Sequence, residues 1–453
     1  MRTIIASIFT FLSLTAVVAQ EQKNNFSLNE AIAYALQHNY SVINANRDIV
    51  DAQKQKWETI ATGLPQITGD ISYQNQLIQP VNQFPSILIP EEFLPPGVVQ
   101  GPDTFVPIVF GPPQTATATA TLRQQIFDGS YIVGVQATKA FLDYSQNNKE
   151  KTDLDVRKAV VEAYGNVLLS QESVVIFEKN RETLEKNLFE TKKVYENGLG
   201  DEESVDQLQI TLSTVESQLK NAKRLEKITL QMLNLMMGIP IENNTILTEN
   251  LDTLTQKQIN PSLLETNFNI ENNVDFKLVK NLNEQRYYEL KLAKSRALPT
   301  LNAFVNYGGN SFSDSFNFLS SGQQWFESSV LGFDLSIPIF SSLGRSASTQ
   351  RAKIAYDKAK TQLTEAQEQI RLQLETAKSE YILAIEEYET SKQNLGLAER
   401  IENKNQIKYT EGLATSFELR QAQTQLYSTQ QEYLQSMVDV INQKTNLEVI
   451  INQ

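Results

Sequence analysis

The segment Tyr195-Glu-Asn-Gly198-Leu199 recurs as Tyr409-Thr-Glu-Gly412-Leu413, an offset of 214 residues. After each copy the apolar positions follow the same register. Val205, Leu208, Leu212, Val215, Leu219 and Ala222 in the first are matched by Leu419, Ala422, Leu426, Thr429, Tyr433 and Ser436 in the second. Earlier in each half, Gly63-Leu64-Pro65-Gln66-Ile67 is matched by Ala297-Leu298-Pro299-Thr300-Leu301, and Gln125-Ile126-Phe127 by Pro338-Ile339-Phe340. Self-similarity at so long a period constrains architecture before any single motif does. Each half reads as helix, strand, loop, strand, long helix, helix. Repeat 1 spans residues 20–240 and repeat 2 spans 261–453, with a polar linker at 241–260.

Proline punctuates the chain unevenly. Nine of the fourteen prolines lie between Pro80 and Pro113, and none lies in 114–239 or 339–453. Proline-free tracts rich in Ala, Leu, Glu, Lys and Gln predict long helices. In repeat 1 the long helices are expected at about 130–196 and 201–237, with shorter helices within about 27–62, and in repeat 2 at about 346–410 and 415–450, with shorter helices within about 262–296. The longest would extend roughly 100 Å at 1.5 Å per residue, beyond any compact domain. Leu363, Ala366, Ile370, Leu374, Ala377, Tyr381, Ala384 and Tyr388 advance by threes and fours, as in a coiled-coil seam. The Pro-rich, apolar tract at 79–114 reads as a long, partly packed loop between strands.

Four segments alternate with period two and predict strands at about 66–77, 115–127, 300–310 and 328–340. Ile67, Ile71 and Tyr73 oppose Thr68, Asp70 and Ser72; Ala116, Ala118, Ala120, Leu122 and Ile126 oppose Thr117, Thr119, Thr121 and Arg123. Leu301, Ala303, Val305 and Tyr307 oppose Asn302, Asn306 and Asn310, and Leu331, Phe333, Leu335, Ile337 and Ile339 oppose Ser328, Asp334 and Ser336. These lengths suit a tilted transmembrane strand, although a soluble sandwich would alternate in the same way.

The N-terminus favours the membrane reading. Arg2, the apolar run Ile4 to Val18, and small residues ending at Ala19 before Gln20 form a secretion signal with cleavage expected between Ala19 and Gln20. Four strands cannot close a barrel, and open edges in lipid leave backbone groups unpaired, so several chains must share one. Two chains would give eight strands and a filled lumen, whereas three would give twelve and an aqueous path. The expected fold is thus an α+β membrane protein. It combines a shared trimeric twelve-stranded antiparallel β-barrel, four strands per chain, with a long α-helical coiled-coil barrel built from two tandem repeats.

Composition excludes much chemistry. The chain has no cysteine, hence no disulfide, thiolate nucleophile or thiolate metal site. Its one histidine, His38, reads as a surface helix residue and leaves no paired-imidazole catalysis or clustered histidine metal site. With a formal charge of −13 and no basic stripe, nucleic acid is not expected as a partner. No cofactor is expected.

The repeated residues resemble those of the TolC family of outer-membrane efflux and secretion channels, over essentially the whole mature chain. The resemblance rests on Asn39-Tyr-Ser-Val and its echo Asn273-Val-Asp-Phe, the doubled Leu-Pro approach to each hairpin, and the two Tyr-x-x-Gly-Leu turns. It implies a homotrimer in outer-membrane lipid, with helices extending through the periplasm and an equatorial region built from the short helices and the 241–260 linker. It also implies a periplasmic adaptor that bridges to an inner-membrane efflux pump or ABC exporter. Tyr195, Gly198, Leu199, Tyr409, Gly412 and Leu413 would fall on the periplasmic tip where adaptors dock, and the glycines would also serve as helix C-caps. Glu418 takes the first position at which the family narrows its entrance with Asp, but Gln421 takes the next, and Ala414 replaces a basic gating residue. Asp201, Glu202, Glu203 and Asp206 crowd the first turn instead. With Glu418 they are candidates for an acidic entrance ring, or simply favour a helix N-terminus.

Two other readings stand beside this one. A trimeric barrel-anchored coiled-coil stalk, structural or adhesive, would need only one strand set and no returning helices. A hydrolase would need a site, and carboxylate pairs such as Asp153 and Asp155 lie on heptad helices where charge is ordinarily a solvated face. No nucleophile motif, phosphate loop or metal constellation accompanies them.

Overall fold

The computed structural model describes residues 24–452. The expected cleavage point at Ala19 and Gln20 lies outside them. In chain order the elements are β1 (Asn25–Phe26), α1 (Leu28–His38), α2 (Tyr40–Ala61), β2 (Gln66–Asn75), β3 (Val81–Pro85), β4 (Phe105–Val109), β5 (Gln114–Asp128), α3 (Gly129–Glu196), α4 (Glu202–Met237), β6 (Ile246–Leu247), α5 (Leu251–Gln258), α6 (Val274–Ser295), β7 (Thr300–Ser313), β8 (Phe326–Ser336), α7 (Gly344–Thr410) and α8 (Ser416–Ile451). They divide into two compact units. A helical unit holds residues 24–47, 147–277 and 365–452, and a sheet unit holds 48–146 and 278–364. Among the described residues, no helix is long and apolar enough to cross a membrane.

In the helical unit, the α7 seam is the buried stripe. Ile370, Leu374, Ala377, Tyr381, Ala384 and Tyr388 are all buried, the last five in one core with Val160, Tyr164 and Val167 of α3 and Met437, Val438 and Ile441 of α8. The spacing of threes and fours puts these side chains on one face, while Leu372, Ile382 and Leu383 beside them stay exposed. Two tyrosine hydroxyls inside this core are paired. The Tyr164 hydroxyl donates to the Phe26 carbonyl at 3.1 Å. The Tyr381 hydroxyl donates to the Gln258 carbonyl at 2.7 Å and accepts from the Asn260 amide at 2.8 Å.

The two asparagines of the sequence echo do the same work twice. Asn39 Nδ2 donates to the Met236 carbonyl near the end of α4 at 2.7 Å, and Asn273 Nδ2 donates to the Ile450 carbonyl near the end of α8 at 2.9 Å. Their Oδ1 atoms accept from Ser41 N and Phe276 N, at 2.8 and 3.0 Å, and so organise the starts of α2 and α6. His38, just before the first of them, is half-exposed and stacks on Tyr34 with ring centroids 3.9 Å apart.

Two helical expectations change. The linker at 241–260 is a packed element, because Leu251 and Leu254 of α5 are buried in the core and the buried Thr255 hydroxyl donates to the Leu251 carbonyl at 2.9 Å. In repeat 2 the tract from 262 does not run as continuous helix. Short 3-10 turns occupy Pro261–Glu265 and Ile270–Asn272, and α6 begins only where Asn273 caps it.

In the sheet unit, the strand order is β2-β5-β7-β8, antiparallel throughout. Register makes two unlike faces. One carries cross-strand rows such as Ile67–Leu122–Val305–Leu331, and Ile67 is 76% exposed, Ile71 88% and Leu331 67%. The opposite face carries Thr68–Thr121–Asn306 and Ser72–Thr117–Asn310, with the Thr117 hydroxyl donating to Asn310 Oδ1 at 2.8 Å. The outer edges of β2 and β8 have no partner strand among the described residues.

Details at the strand ends depart from simple alternation. A bulge between Gln125 and Phe127 leaves Ile126 without a register partner, so Phe127 rather than Ile126 stands opposite Leu301. β8 stops at Ser336, leaving Ile337 and Ile339 outside it, since Pro338 has no N–H to continue a ladder. β2 stops at Asn75, short of Leu77. The tract at 79–114 is not a plain loop: β3 pairs with β4 as an antiparallel ribbon, and two 3-10 turns lie in the connection between them.

A charge cluster in the helical unit supplies a pH test. Lys277 Nζ donates to both oxygens of Glu150 at 2.9 Å, and Asn452 Nδ2 donates to Oε1 at 2.7 Å. Partial burial pushes the Glu150 carboxyl up, but the Lys277 and Asn452 bonds together outweigh it and hold the group below its usual range. A depressed folded value means the stabilisation is present above the unfolded value and is lost as pH falls through the folded one. Lys277→Met is expected to move the acid-unfolding midpoint, followed by far-ultraviolet circular dichroism, to higher pH. An unchanged midpoint would show the cluster to be inert.

Candidate functional site

The repeated turns cap two helical hairpins in the same way. At the first, the Gly198 amide donates to the Tyr195 carbonyl at 2.9 Å and the Leu199 amide to the Val194 carbonyl at 3.1 Å. At the second, the Gly412 amide donates to Tyr409 at 3.0 Å and the Leu413 amide to Lys408 at 2.7 Å. Both are Schellman closures, which need a left-handed residue after the helix; Gly198 and Gly412 each have φ of +73°. An added Cβ would meet nothing within 4 Å at either glycine, so backbone conformation and not crowding selects the residue. Leu199 and Leu413, at 83% and 73% exposed, leave an apolar side chain on the surface at each turn.

The next residues start the returning helices, again at matching repeat positions. Asp201 is the N-cap of α4: its Oδ1 accepts from the Ser204 amide at 2.7 Å and its Oδ2 from the Ser204 hydroxyl at 3.1 Å. Thr415 is the N-cap of α8 and forms a capping box with Glu418. The Glu418 carboxylate accepts from the Thr415 amide at 2.7 Å and hydroxyl at 3.0 Å, and the Glu418 amide donates back to Thr415 Oγ1 at 3.3 Å. The Ser204 amide, foremost among its partners, lowers the Asp201 pKa, and the Thr415 amide does the same for Glu418. Both carboxylates are therefore engaged by their own helix starts. Glu202, Glu203 and Asp206 are exposed in the same turn, and Glu203 accepts from the Gln207 side chain at 2.9 Å.

Lateral hydrogen bonds bring the two hairpins together, a feature that the sequence reading did not single out. The Ser204 hydroxyl donates to that of Ser416 at 3.0 Å, and Ser416 in turn donates to Gln207 Oε1 at 3.3 Å. Thr191 and Tyr409 share a hydroxyl contact of 2.7 Å. Asn187 and Gln406 exchange amide bonds in both directions, at 2.8 and 2.9 Å, and Asn180 Nδ2 donates to Gln430 Oε1 at 3.0 Å. Polar residues at otherwise apolar seam positions were the available signal, because a buried amide at such a position fixes register. Each bond contributes only about 0.5–1.5 kcal/mol net, whereas an amide left unpaired costs about 1–3 kcal/mol. The set therefore penalises misalignment more than it adds stability.

Asp153 and Asp155 pair with Lys149 and Lys151 one helical turn earlier along α3. Among the described residues, no three or more His, Asp or Glu side chains are grouped to hold a metal ion.

Comparison with known proteins is consistent with this geometry. Residues 270–453 match the family model described as outer membrane efflux protein. Proteases secretion protein PrtF of Dickeya chrysanthemi is 24% identical over 257 residues, 54% of this chain, and the match spans about half of that relative, 53%. Among solved structures, the fold is similar to the outer membrane protein VceC of Vibrio cholerae, with a TM-score of 0.70, 16% identity, and 94% of this chain and 95% of that one covered. It is likewise similar to the CmeC outer membrane channel of Campylobacter jejuni, with a TM-score of 0.72, 16% identity, and 94% and 85% covered. The MtrE outer membrane channel of Neisseria gonorrhoeae gives 0.70, 15% identity, and 94% and 88%. The resemblance to outer-membrane efflux proteins is thus supported by sequence over residues 270–453, and a likeness of fold extends over nearly the whole chain.

Proposed function

We propose that this chain is one protomer of a homotrimeric exit duct in the bacterial outer membrane, a passive conduit in either tripartite efflux or type I secretion. One observation carries the reading: a four-stranded sheet with an exposed apolar face, a polar opposite face and two open edges. In lipid the open edges would leave backbone groups unpaired at several kcal/mol each, so sister copies must complete the sheet. Three copies give twelve strands with the Thr68, Thr121 and Asn306 face lining water and the Ile67, Ile71 and Leu331 face meeting lipid. The name of PrtF ties that relative to protease secretion, while the family match is to efflux proteins, so both cargo classes fit. A barrel-anchored adhesive stalk fits less well, because both helical hairpins return on themselves.

The detergent-purified particle is expected to have the mass of three chains, and cells lacking the protein to accumulate more of an effluxed dye. A water-soluble single chain would end the proposal.

The tips follow from the same reading. Leu199 and Leu413, held outward by the glycine closures beside Tyr195 and Tyr409, would dock a periplasmic adaptor that bridges to an inner-membrane pump or ABC exporter. Leu199→Asp combined with Leu413→Asp is expected to abolish export while the three-chain particle persists; full export by this variant would exclude these leucines from docking.

The acidic residues divide by their bonding. All five are exposed, but Asp201 and Glu418 are committed to helix starts, whereas Glu202, Glu203 and Asp206 cap no backbone group, and threefold symmetry would multiply these three into rings that favour cations. In planar bilayers, Glu202→Gln with Glu203→Gln and Asp206→Asn is expected to reduce cation preference more than Asp201→Asn with Glu418→Gln. The reverse order, or no change in reversal potential for either, would refute the ring.

A further inference from the structure

The chain between β2 and β5, residues 76–113, is much longer than a strand connection requires, and it is built rather than loose. The Ser86 side chain is fully buried at its centre. Its amide donates to the Thr104 carbonyl at 2.7 Å, and its hydroxyl accepts from the Gly101 amide at 3.0 Å and donates to the Gly101 carbonyl at 3.1 Å. Gln100 Nε2 donates to the Ile89 carbonyl at 2.6 Å, and Phe84 meets Phe110 edge to face. Despite this internal order, Ile87, Leu88, Phe93, Val99, Phe105 and Phe110 are all more than half exposed, Phe93 by 73% and Val99 by 78%.

Two arguments name what covers them. The ribbon of β3 and β4 has five residues per strand and both outer edges open, and a lone two-stranded ribbon is marginal in water, so it calls for added packing. The segment contains Glu91, Glu92 and Asp103 but no Lys or Arg, so it lacks the cations with which a protein engages anionic lipid headgroups. It also grows from β2, an edge strand, at the end of the sheet away from α2 and α3. If copies pair along that edge, their ribbons gather at one mouth.

We propose that the 76–113 segments of sister copies pack on one another through these apolar side chains, forming a collar that narrows the end of the duct remote from the helices. The inference rests on the shared-barrel reading above.

The absence of native cysteine makes the test direct. Leu88→Cys, Phe93→Cys and Val99→Cys are introduced singly into the full chain, outer membranes are oxidised with copper phenanthroline, and particle mass is measured on the same preparations. Disulfide-linked dimers on non-reducing gels are expected from at least Phe93→Cys and Val99→Cys. Leu88→Ser with Phe93→Ser and Val99→Ser is expected to raise single-channel conductance while the particle keeps three chains. A three-chain particle with no cross-link at any position overturns the collar but leaves the barrel standing. So does labelling by a membrane-soluble but not a water-soluble maleimide, which would assign the patch to lipid. A one-chain particle overturns the barrel reading itself, and the collar with it.

Discussion

The rest of this structure turns on two strand edges whose backbone groups no other strand among the described residues satisfies. β5 and β7 exchange hydrogen bonds on both sides, but β2 and β8 each present one row of amides and carbonyls outward. An exposed edge is an invitation to pair, and soluble proteins ordinarily blunt it with charge, proline or a covering loop. Here the edges flank a face of isoleucine, leucine and phenylalanine, so neither water nor lipid suits the isolated sheet. Association through the edges, as proposed, would resolve both problems at once, because closing the ladder would also turn the apolar face to one side and the threonine and asparagine face to the other.

The helical unit meets a different demand. Helices of 68 and 67 residues cannot be aligned by caps at their ends alone, since small errors in pitch accumulate along the rod. Apolar seams tolerate sliding by a turn better than amide pairs do. The Asn187–Gln406 exchange and the Asn180–Gln430 and Thr191–Tyr409 contacts supply fixed points near the turns. At the other end of the returning helices, Asn39 and Asn273 hold the last turns of α4 and α8 through equivalent carbonyls.

What the sequence made legible followed from period and punctuation. Strand faces were readable because alternation of period two is a direct image of the pleat, and the long helices because proline is absent from them. The bulge at Ile126 was not readable, since Gln125-Ile126-Phe127 carries no glycine or other sign of an extra residue. The ribbon of β3 and β4 was hidden by proline density, although Pro85 and Pro107 both sit within its strands, where a short, open-edged ribbon tolerates a missing amide. At the turns, the glycines announced their conformation correctly. The capping box was present in plain letters as Thr415-Ser-Phe-Glu418, but an acidic side chain near a channel entrance invites an electrostatic reading before a local one. The packing of α5 is not legible from its residues alone, because Leu251 and Leu254 are too few to stand out among polar neighbours; only the family resemblance places the linker in an equatorial region.

The hydrogen bond from Thr117 to Asn310 joins residues 193 positions apart, at the centre of the sheet. The middle of the sheet therefore cannot form until repeat 2 has been synthesised, and non-local pairings of this kind form slowly. Through that interval the first hairpin waits with Ile67 and Ile71 uncovered and both flanks unpaired, a species prone to aggregate. The vulnerable stage of this topology is therefore the interval before the two repeats have paired.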